Sequence, residues 1–203
     1  MVKRKQNISL NILLVAVMLL LVLTLSIGAG NAWFVTEQNR GLHLSVRVSE
    51  FNVLLEQLTN DNGTETATEV YTYKKNNREE TNKYVVISQM LAPDEEINLK
   101  LRLTNKDQGE GVYLRYSLNL YACGVDGDEL IPINITAGED FNKNGNYYYY
   151  VDSSDVNKTI TKDTATILCT GFSIPYSSFQ TLNGGETVKI ELVVECANSV
   201  AEF

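Results

Sequence analysis

Histidine is almost missing from the sequence, since His43 is the only one in 203 residues. A zinc-protease helix of the HExxH type needs two histidines, and a Ser-His-Asp triad needs one beside its nucleophile. His43 lies between Leu42 and Leu44 in an alternating segment that is typical of a strand, which directs its side chain to solvent. We therefore expect a protein that is not an enzyme.

Positive charge is also scarce. The chain has 17 lysines and arginines against 25 acidic residues, which gives a net charge of −8. Binding to a phosphate backbone requires clustered Lys and Arg side chains that displace counterions. We therefore expect no nucleic-acid partner.

The start of the chain is basic and then strongly apolar. Residues 1–32 contain three cations and no acid, and residues 12–29 are apolar with few interruptions. This order predicts an export signal, and the small residues 30–32 (GNA) suit signal peptidase. We predict that residues 1–32 are a signal peptide and that cleavage occurs before Trp33.

A retained membrane anchor is the alternative, because the apolar run just reaches the length of a membrane-spanning helix. In both cases the leading cations hold the N-terminus in the cytoplasm while residues 33–203 cross the membrane. We expect these residues to form one extracellular or cell-surface domain. Its partners would include signal peptidase during export and, for an uncleaved leader, the membrane.

The exported part has the pattern of short strands separated by polar loops. Apolar and polar residues alternate in residues 97–103, 112–120 and 188–196, as in strands that are buried on one face. Only residues 50–58 suggest a short helix. Sheets that are apolar on one face need another apolar face to cover them. The sequence predicts an all-β fold, an antiparallel two-sheet sandwich that follows an N-terminal apolar helix.

Several short motifs occur in an order that resembles the TasA/camelysin-like exported proteins. They are the segment AWF at residues 32–34, an early strand rich in Leu and Val, the turn LAPDE at 91–95, the run YYYY at 147–150, and the turn LNGGE at 182–186. The resemblance implies a jelly-roll-like sandwich, export through a dedicated signal peptidase, and a role in surface fibres or biofilm matrix. Camelysin is classed as a metalloprotease, but this sequence has no zinc motif, so that activity is not carried over.

Two sets of polar residues suggest binding sites. Asp140, Asn142 and Asn144, followed by Gly145, match the start of a calcium loop. Val151 occupies the position of the bidentate Glu, so an ordinary turn is the alternative and calcium is the one cofactor considered. Tyrosines form the second set, and Tyr147 and Tyr149 are predicted to belong to an aromatic platform or interface. Alternation along a strand is the simpler explanation for the tyrosine run.

Three cysteines lie beyond the predicted membrane boundary, where thiols can oxidise. They are Cys123, Cys169 and Cys196. One disulfide among them is possible, and an odd number leaves one residue over. Burial of the cysteines as small apolar residues is the alternative.

The segment that follows the leader is a candidate for assembly. Trp33 is followed by Leu42, Leu44, Val46 and Val48, which alternate with polar residues. Such a segment can complete the sheet of a neighbouring subunit, or it can form the first strand of its own sheet.

Two functions follow from these observations. One is a non-enzymatic structural protein of the cell surface or extracellular matrix, a fibre subunit that associates with itself or with other surface proteins. The other is a secreted or membrane-tethered recognition module that binds a glycan or a protein.

Overall fold

The protein is described from a computed structural model, which covers Val15 and residues 17–19, 41–48, 51–74, 79–82, 85–87, 91–107, 111–124, 127–180 and 187–203. The described residues form the following strands in chain order: β1 (Gly41–Val48), β2 (Val53–Asp61), β3 (Thr64–Lys74), β4 (Glu79–Asn82), β5 (Val85–Val86), β6 (Glu96–Asn105), β7 (Val112–Gly124), β8 (Gly127–Ile131), β9 (Asn134–Ala137), β10 (Phe141–Asn144), β11 (Tyr147–Tyr150), β12 (Thr159–Ile160), β13 (Ala165–Ser173) and β14 (Thr187–Ala197). Single turns of helix occur at Tyr176–Phe179 and Val200–Glu202.

The strands form two sheets. The smaller sheet has the order β4-β3-β2-β6-β13-β9, and the larger has the order β10-β11-β7-β14-β1-β5, with β8 and β12 also paired to β7. Neighbouring strands are antiparallel except for β1 and β14, which run parallel with Leu44 opposite Ile190. The predicted all-β, two-sheet architecture is therefore confirmed at this level.

Alternation places the core between the sheets. In β6 the residues Ile97, Leu99, Leu101 and Leu103 are buried, while the residues between them are more exposed. The inner faces of β7 and β14 follow the same rule, and residues of both sheets belong to one apolar cluster. Burial of apolar area at about 25 cal/mol per Å² makes this cluster the main source of stability.

A buried tyrosine ties the two sheets together. The Tyr116 hydroxyl in β7 donates a hydrogen bond to the Leu168 carbonyl in β13 of the other sheet. A register shift between Ile167 and Cys169 leaves Leu168 out of the ladder, as in a β-bulge. The Gly138 amide donates to the same carbonyl at 2.9 Å. The bulge therefore leaves the Leu168 carbonyl oxygen free of the β6–β13 ladder, so that it can accept the hydrogen bond from Tyr116.

The helix prediction for residues 50–58 is wrong, because β2 begins at Val53 and continues to Asp61. Val53 and Leu55 point into the core, whereas Gln57 and the adjacent Leu58 are both buried. The pairing of β2 with β3 has a register shift between Leu55 and Glu56, so the burial of β2 does not follow simple alternation. The departure from a period of two obscures the strand in the sequence.

The leader is outside the described residues except for Val15 and residues 17–19, which are helical and exposed. No helix among the described residues is long and apolar enough to span a membrane. The predicted cleavage site and Trp33 lie outside the described residues.

Candidate binding groove on the outer face of the larger sheet

The outer face of the larger sheet is built on β7 and β14. Alternate residues of β7 point away from the core, and the antiparallel ladder sets each beside an outward residue of β14. The facing pairs are Arg115 with Glu195, Ser117 with Val193, Asn119 with Glu191, and Tyr121 with Lys189. The face thus carries a row of polar and aromatic side chains above an apolar core.

One edge of β7 pairs with β14, and the other edge is covered unevenly by three short strands. β12 pairs with Val112 and Tyr113, β11 with Arg115 and Tyr116, and β8 with residues 120–124. The ladders leave residues 117–119 between β11 and β8. An opening forms at this gap, and Ser117, Asn119 and Tyr147 line it on both sides.

One part of the opening is polar and has a volume of about 480 Å³. Its floor includes Ser117 and Asn119, and Tyr121 and Tyr147 contribute aromatic surface. Among its charged groups, Arg47 lies 3.0 Å from a carboxylate oxygen of Glu191. It is a shallow and mainly polar depression rather than an enclosed apolar pocket.

The other part is more apolar and has a volume of about 350 Å³. It is lined by the segment after β8 and by the β10–β11 hairpin, including Leu130, Pro132, Ile133 and Lys143. Leu130 is 56% exposed. The two parts together form what we call the β7 groove, defined by Ser117, Asn119, Tyr121, Tyr147 and Leu130.

Arg115 orders the aromatic side chains at one end of the β7 groove. Its guanidinium carbon lies 4.1 Å from the ring centre of Tyr147 and 4.5 Å from that of Phe203. The guanidinium donates to the Tyr149 hydroxyl and to the Phe203 carbonyl, each at 3.1 Å. It also donates to Glu195 at 2.5 Å. Arg115 thus fixes Tyr147 and Tyr149 by cation–π contact and hydrogen bonding.

Burial alone would lower the pKa of Arg115, but its hydrogen bonds with Tyr149 and Glu195 outweigh that effect and raise it. The guanidinium is therefore a permanent cation. Burial, together with the nearby Glu191 carboxylate, raises the pKa of Tyr121. The Tyr121 hydroxyl therefore stays protonated at physiological pH and donates to the Glu191 carboxylate at 3.3 Å.

The tyrosines divide according to strand alternation. Tyr148 and Tyr150 are buried, and Tyr148 stacks on Tyr116 at 5.1 Å between ring centres. Tyr147 and Tyr149 lie on the outer face beside Arg115. Sequence reasoning found this outward pair but missed Arg115 and Phe203. Alternation along β7 could have placed Arg115 on the outer face. No sequence pattern indicated that β11 pairs with β7 beside Arg115.

The residues of the calcium-loop prediction lie in and next to the β10–β11 hairpin. Asn142 and Asn144 lie in β10, and Gly145 with φ of +62° forms the turn into β11. Strand geometry separates alternate residues by about 7 Å, whereas calcium ligands converge on one point. The Asp140 carboxylate accepts a hydrogen bond from Lys158 at 2.7 Å. Residues 140–145 therefore lead into and form a β-hairpin.

All three cysteines are described, and none forms a disulfide. Cys123 and Cys196 are near opposite ends of the β7–β14 ladder, opposite Thr187 and Leu114. Cys169 is in the other sheet, where its thiol donates to the Leu99 carbonyl at 3.3 Å. Burial raises the pKa of Cys169 to about 12, so its thiol is protonated at neutral pH. Of the two alternatives for the cysteines, burial as a small apolar residue describes Cys169.

The candidate assembly residues from Leu42 to Val48 lie in β1 of the chain's own larger sheet. Leu44 and Val46 are buried in the core, opposite Ile190 and Leu192 of β14. The backbones of Leu42 and Val48 are in the same strand, but their side chains lie outside the described part. β1 thus occupies its own sheet in this monomer.

Within the described residues, no group of three or more His, Cys, Asp or Glu side chains is arranged to hold a metal ion. Comparison of the chain with protein-family models, curated proteins and solved structures gave no match.

Proposed function

We propose that the chain is a non-enzymatic, exported structural protein of the cell surface or extracellular matrix, and that it associates with itself as a fibre subunit. The leader pattern supports export, and the TasA/camelysin-like motif order supports a jelly-roll-like matrix protein. The observation that carries the assembly proposal is the parallel pairing of β1 with β14.

Parallel neighbours cannot be joined by a tight hairpin, so β1 is not connected to β14 by a short turn. On its other edge β1 pairs with β5 only through Gly41 and Leu42. A β1 strand from a second subunit would make the same contacts with β14, which is the basis of domain swapping. Exchange of β1 would therefore link successive subunits.

Export is tested by intact-mass and N-terminal analysis of the cell-surface and extracellular fractions. The proposal expects a chain that begins at Trp33 or an uncleaved chain in the membrane. Recovery of the described domain from the cytosol would contradict export.

Assembly is tested by locking β1 to its own β14. Ser45 faces Glu191 across the parallel ladder, so S45C/E191C is made in a C123S background to limit wrong pairing. Electron microscopy of protein that begins at Trp33 should show fibres when the lock is reduced and monomers when it is oxidised. The S45C single variant is the control. Equal assembly in both redox states would exclude β1 exchange.

A second candidate function, recognition of a glycan or a protein by a secreted or tethered domain, is favoured by the β7 groove. Its aromatic side chains and polar floor are the observations that support it. Recognition and assembly both involve β1, because its inner residues Leu44 and Val46 are in the core while Arg47 lines the polar part of the groove.

A further inference from the structure

The β7 groove has aromatic surface at two separated points. Tyr121 lies four residues beyond Ser117 along β7, and Tyr147, one residue beyond the Tyr148–Tyr116 pair, lines the groove together with Ser117, so the spacing of the two tyrosines refers to backbone positions. At about 3.3 Å per residue, the two tyrosines stand about 13 Å apart along the strand. The separation suits a ligand of several repeated units rather than one small ring.

The floor between these tyrosines offers both donors and acceptors. Ser117 contributes a hydroxyl and Asn119 a side-chain amide, which can donate and accept at once. Glu191 and Glu195 add carboxylate oxygens at the same surface. Neighbouring hydroxyls of a sugar ring are also both donors and acceptors, so this floor matches them better than it matches an apolar ligand.

Four of the charged side chains beside the polar part of the groove are paired with each other, while Lys143 lines the apolar part. Arg47 pairs with Glu191 and Arg115 pairs with Glu195. An ionic ligand would have to compete with these pairs, and an acidic polymer would also meet a chain with a net charge of −8. A neutral ligand avoids both costs.

One tyrosine is held in place before any ligand arrives. Arg115 covers one face of Tyr147 and is itself held by Glu195 and Tyr149. Tyr147 also lines the groove, so ligand binding would immobilise little additional side-chain freedom. Such preorganisation lowers the entropic cost of binding.

We infer that the β7 groove binds a stretch of neutral, unbranched oligosaccharide, with Tyr121 and Tyr147 stacking against sugar rings and Ser117 and Asn119 bonding to hydroxyls. This inference rests on the second candidate function and names the ligand class for that function.

Isothermal titration calorimetry of the protein that begins at Trp33 tests the inference, with cellohexaose and chitohexaose as neutral probes and hexagalacturonate as an acidic one. We expect at least one neutral probe to bind and the acidic probe to bind more weakly. Y121A and Y147A should each raise the dissociation constant by at least about fivefold, as expected for aromatic anchors.

Y113A is the matched control, because Tyr113 lies on the same strand but pairs near Thr159 and Ala197, away from the groove. It should change the affinity by less than about twofold. N119A provides a variant that leaves the Arg115 cluster intact, in case Y147A fails to fold. It should also weaken binding.

Absence of binding to both neutral probes would overturn the inference, and so would binding that Y121A and N119A leave unchanged. Tighter binding of hexagalacturonate would overturn the charge argument. If a photo-crosslinking residue at Tyr147 reacts with a protein on the cell surface while neither sugar binds, recognition stands and the glycan assignment fails. Export and assembly are tested by the separate experiments described above, so none of these binding outcomes bears on them.

Discussion

The outer faces of the two sheets carry similar charges in different surroundings. On the smaller sheet, Arg102 pairs with Glu56 at 2.9 Å and Lys100 pairs with Glu65 at 2.6 Å. On the larger sheet, Arg115 pairs with Glu195 at 2.5 Å, but aromatic rings also contact it. The two outer faces therefore differ less in the exposure of their ion pairs than in the aromatic rings around Arg115.

The sheets also differ in regularity. The β7–β14 ladder runs from Thr187 opposite Cys123 to Ala197 opposite Tyr113 without a register shift. β13 of the smaller sheet has register shifts on both sides of Cys169. The larger sheet therefore presents an even platform, and the smaller sheet supplies the irregular carbonyl that accepts the bond from Tyr116.

The largest expected loss of stability comes from a substitution beside the irregular strand β13 of the smaller sheet. A Cβ added at Gly138 would lie 1.8 Å from the Ile167 carbonyl oxygen, so G138A should destabilise the domain by more than about 3 kcal/mol. At Gly145, where φ is +62° and nothing lies within 4 Å, G145A should cost only about 1 kcal/mol. Urea denaturation followed by circular dichroism measures both. A smaller loss for G138A than for G145A would show that the bulge is not required.

The second prediction compares the two arginine pairs. In one, Arg115 is 13% and Glu195 32% exposed; in the other, Arg102 is 32% and Glu56 17% exposed. R115A should cost about 2 kcal/mol because it also removes ring contacts. R102A should cost at most about 1 kcal/mol. Equal losses in chemical denaturation would show that the aromatic contacts add nothing.

The smallest expected effect is the dependence of stability on pH that comes from two exposed aspartates. The backbone amides of Ser154 and Val156 hold the pKa of Asp152 below its ordinary value, and Lys106 does the same for Asp163. Because both pKa values are depressed in the folded state, each group stabilises the fold above its ordinary pKa and loses that contribution as the pH falls through its folded value.

NMR titration of the carboxyl carbons at low and high salt separates the two cases. Salt should raise the pKa of Asp163 towards normal, since screening weakens its ion pair. The pKa of Asp152 should move less, because its partners are backbone amides. An equal response of both groups would contradict the assigned causes.

The sequence predicted those elements in which a single face is buried. Residues 97–103, 112–120 and 188–196 lie in β6, β7 and β14, because alternation depends on local spacing alone. β2 was missed since its burial departs from alternation, and the short β9, β10 and β12 have too few residues to show a period.

The β7 groove was predictable only in part. Alternation places Tyr147 and Tyr149 on one face, but the pairing of β11 with β7 joins residues that are distant in sequence. The calcium-loop motif matched residue types without their geometry, because the same asparagines and glycine also suit a hairpin. Side chains that meet across strands cannot be identified from spacing within one strand.

The parallel pairing of β1 with β14 has a consequence for folding. β14 is the last of the described strands, so under the export that we propose β1 would emerge from the membrane long before the neighbour that covers it. Contacts between such distant segments form slowly because loop closure precedes them. During that interval Leu44 and Val46 are uncovered on a strand with open edges. Under the proposed export, this order of emergence would give β1 a period in which another chain could bind it, and the rate at which β14 emerges would set the length of that period.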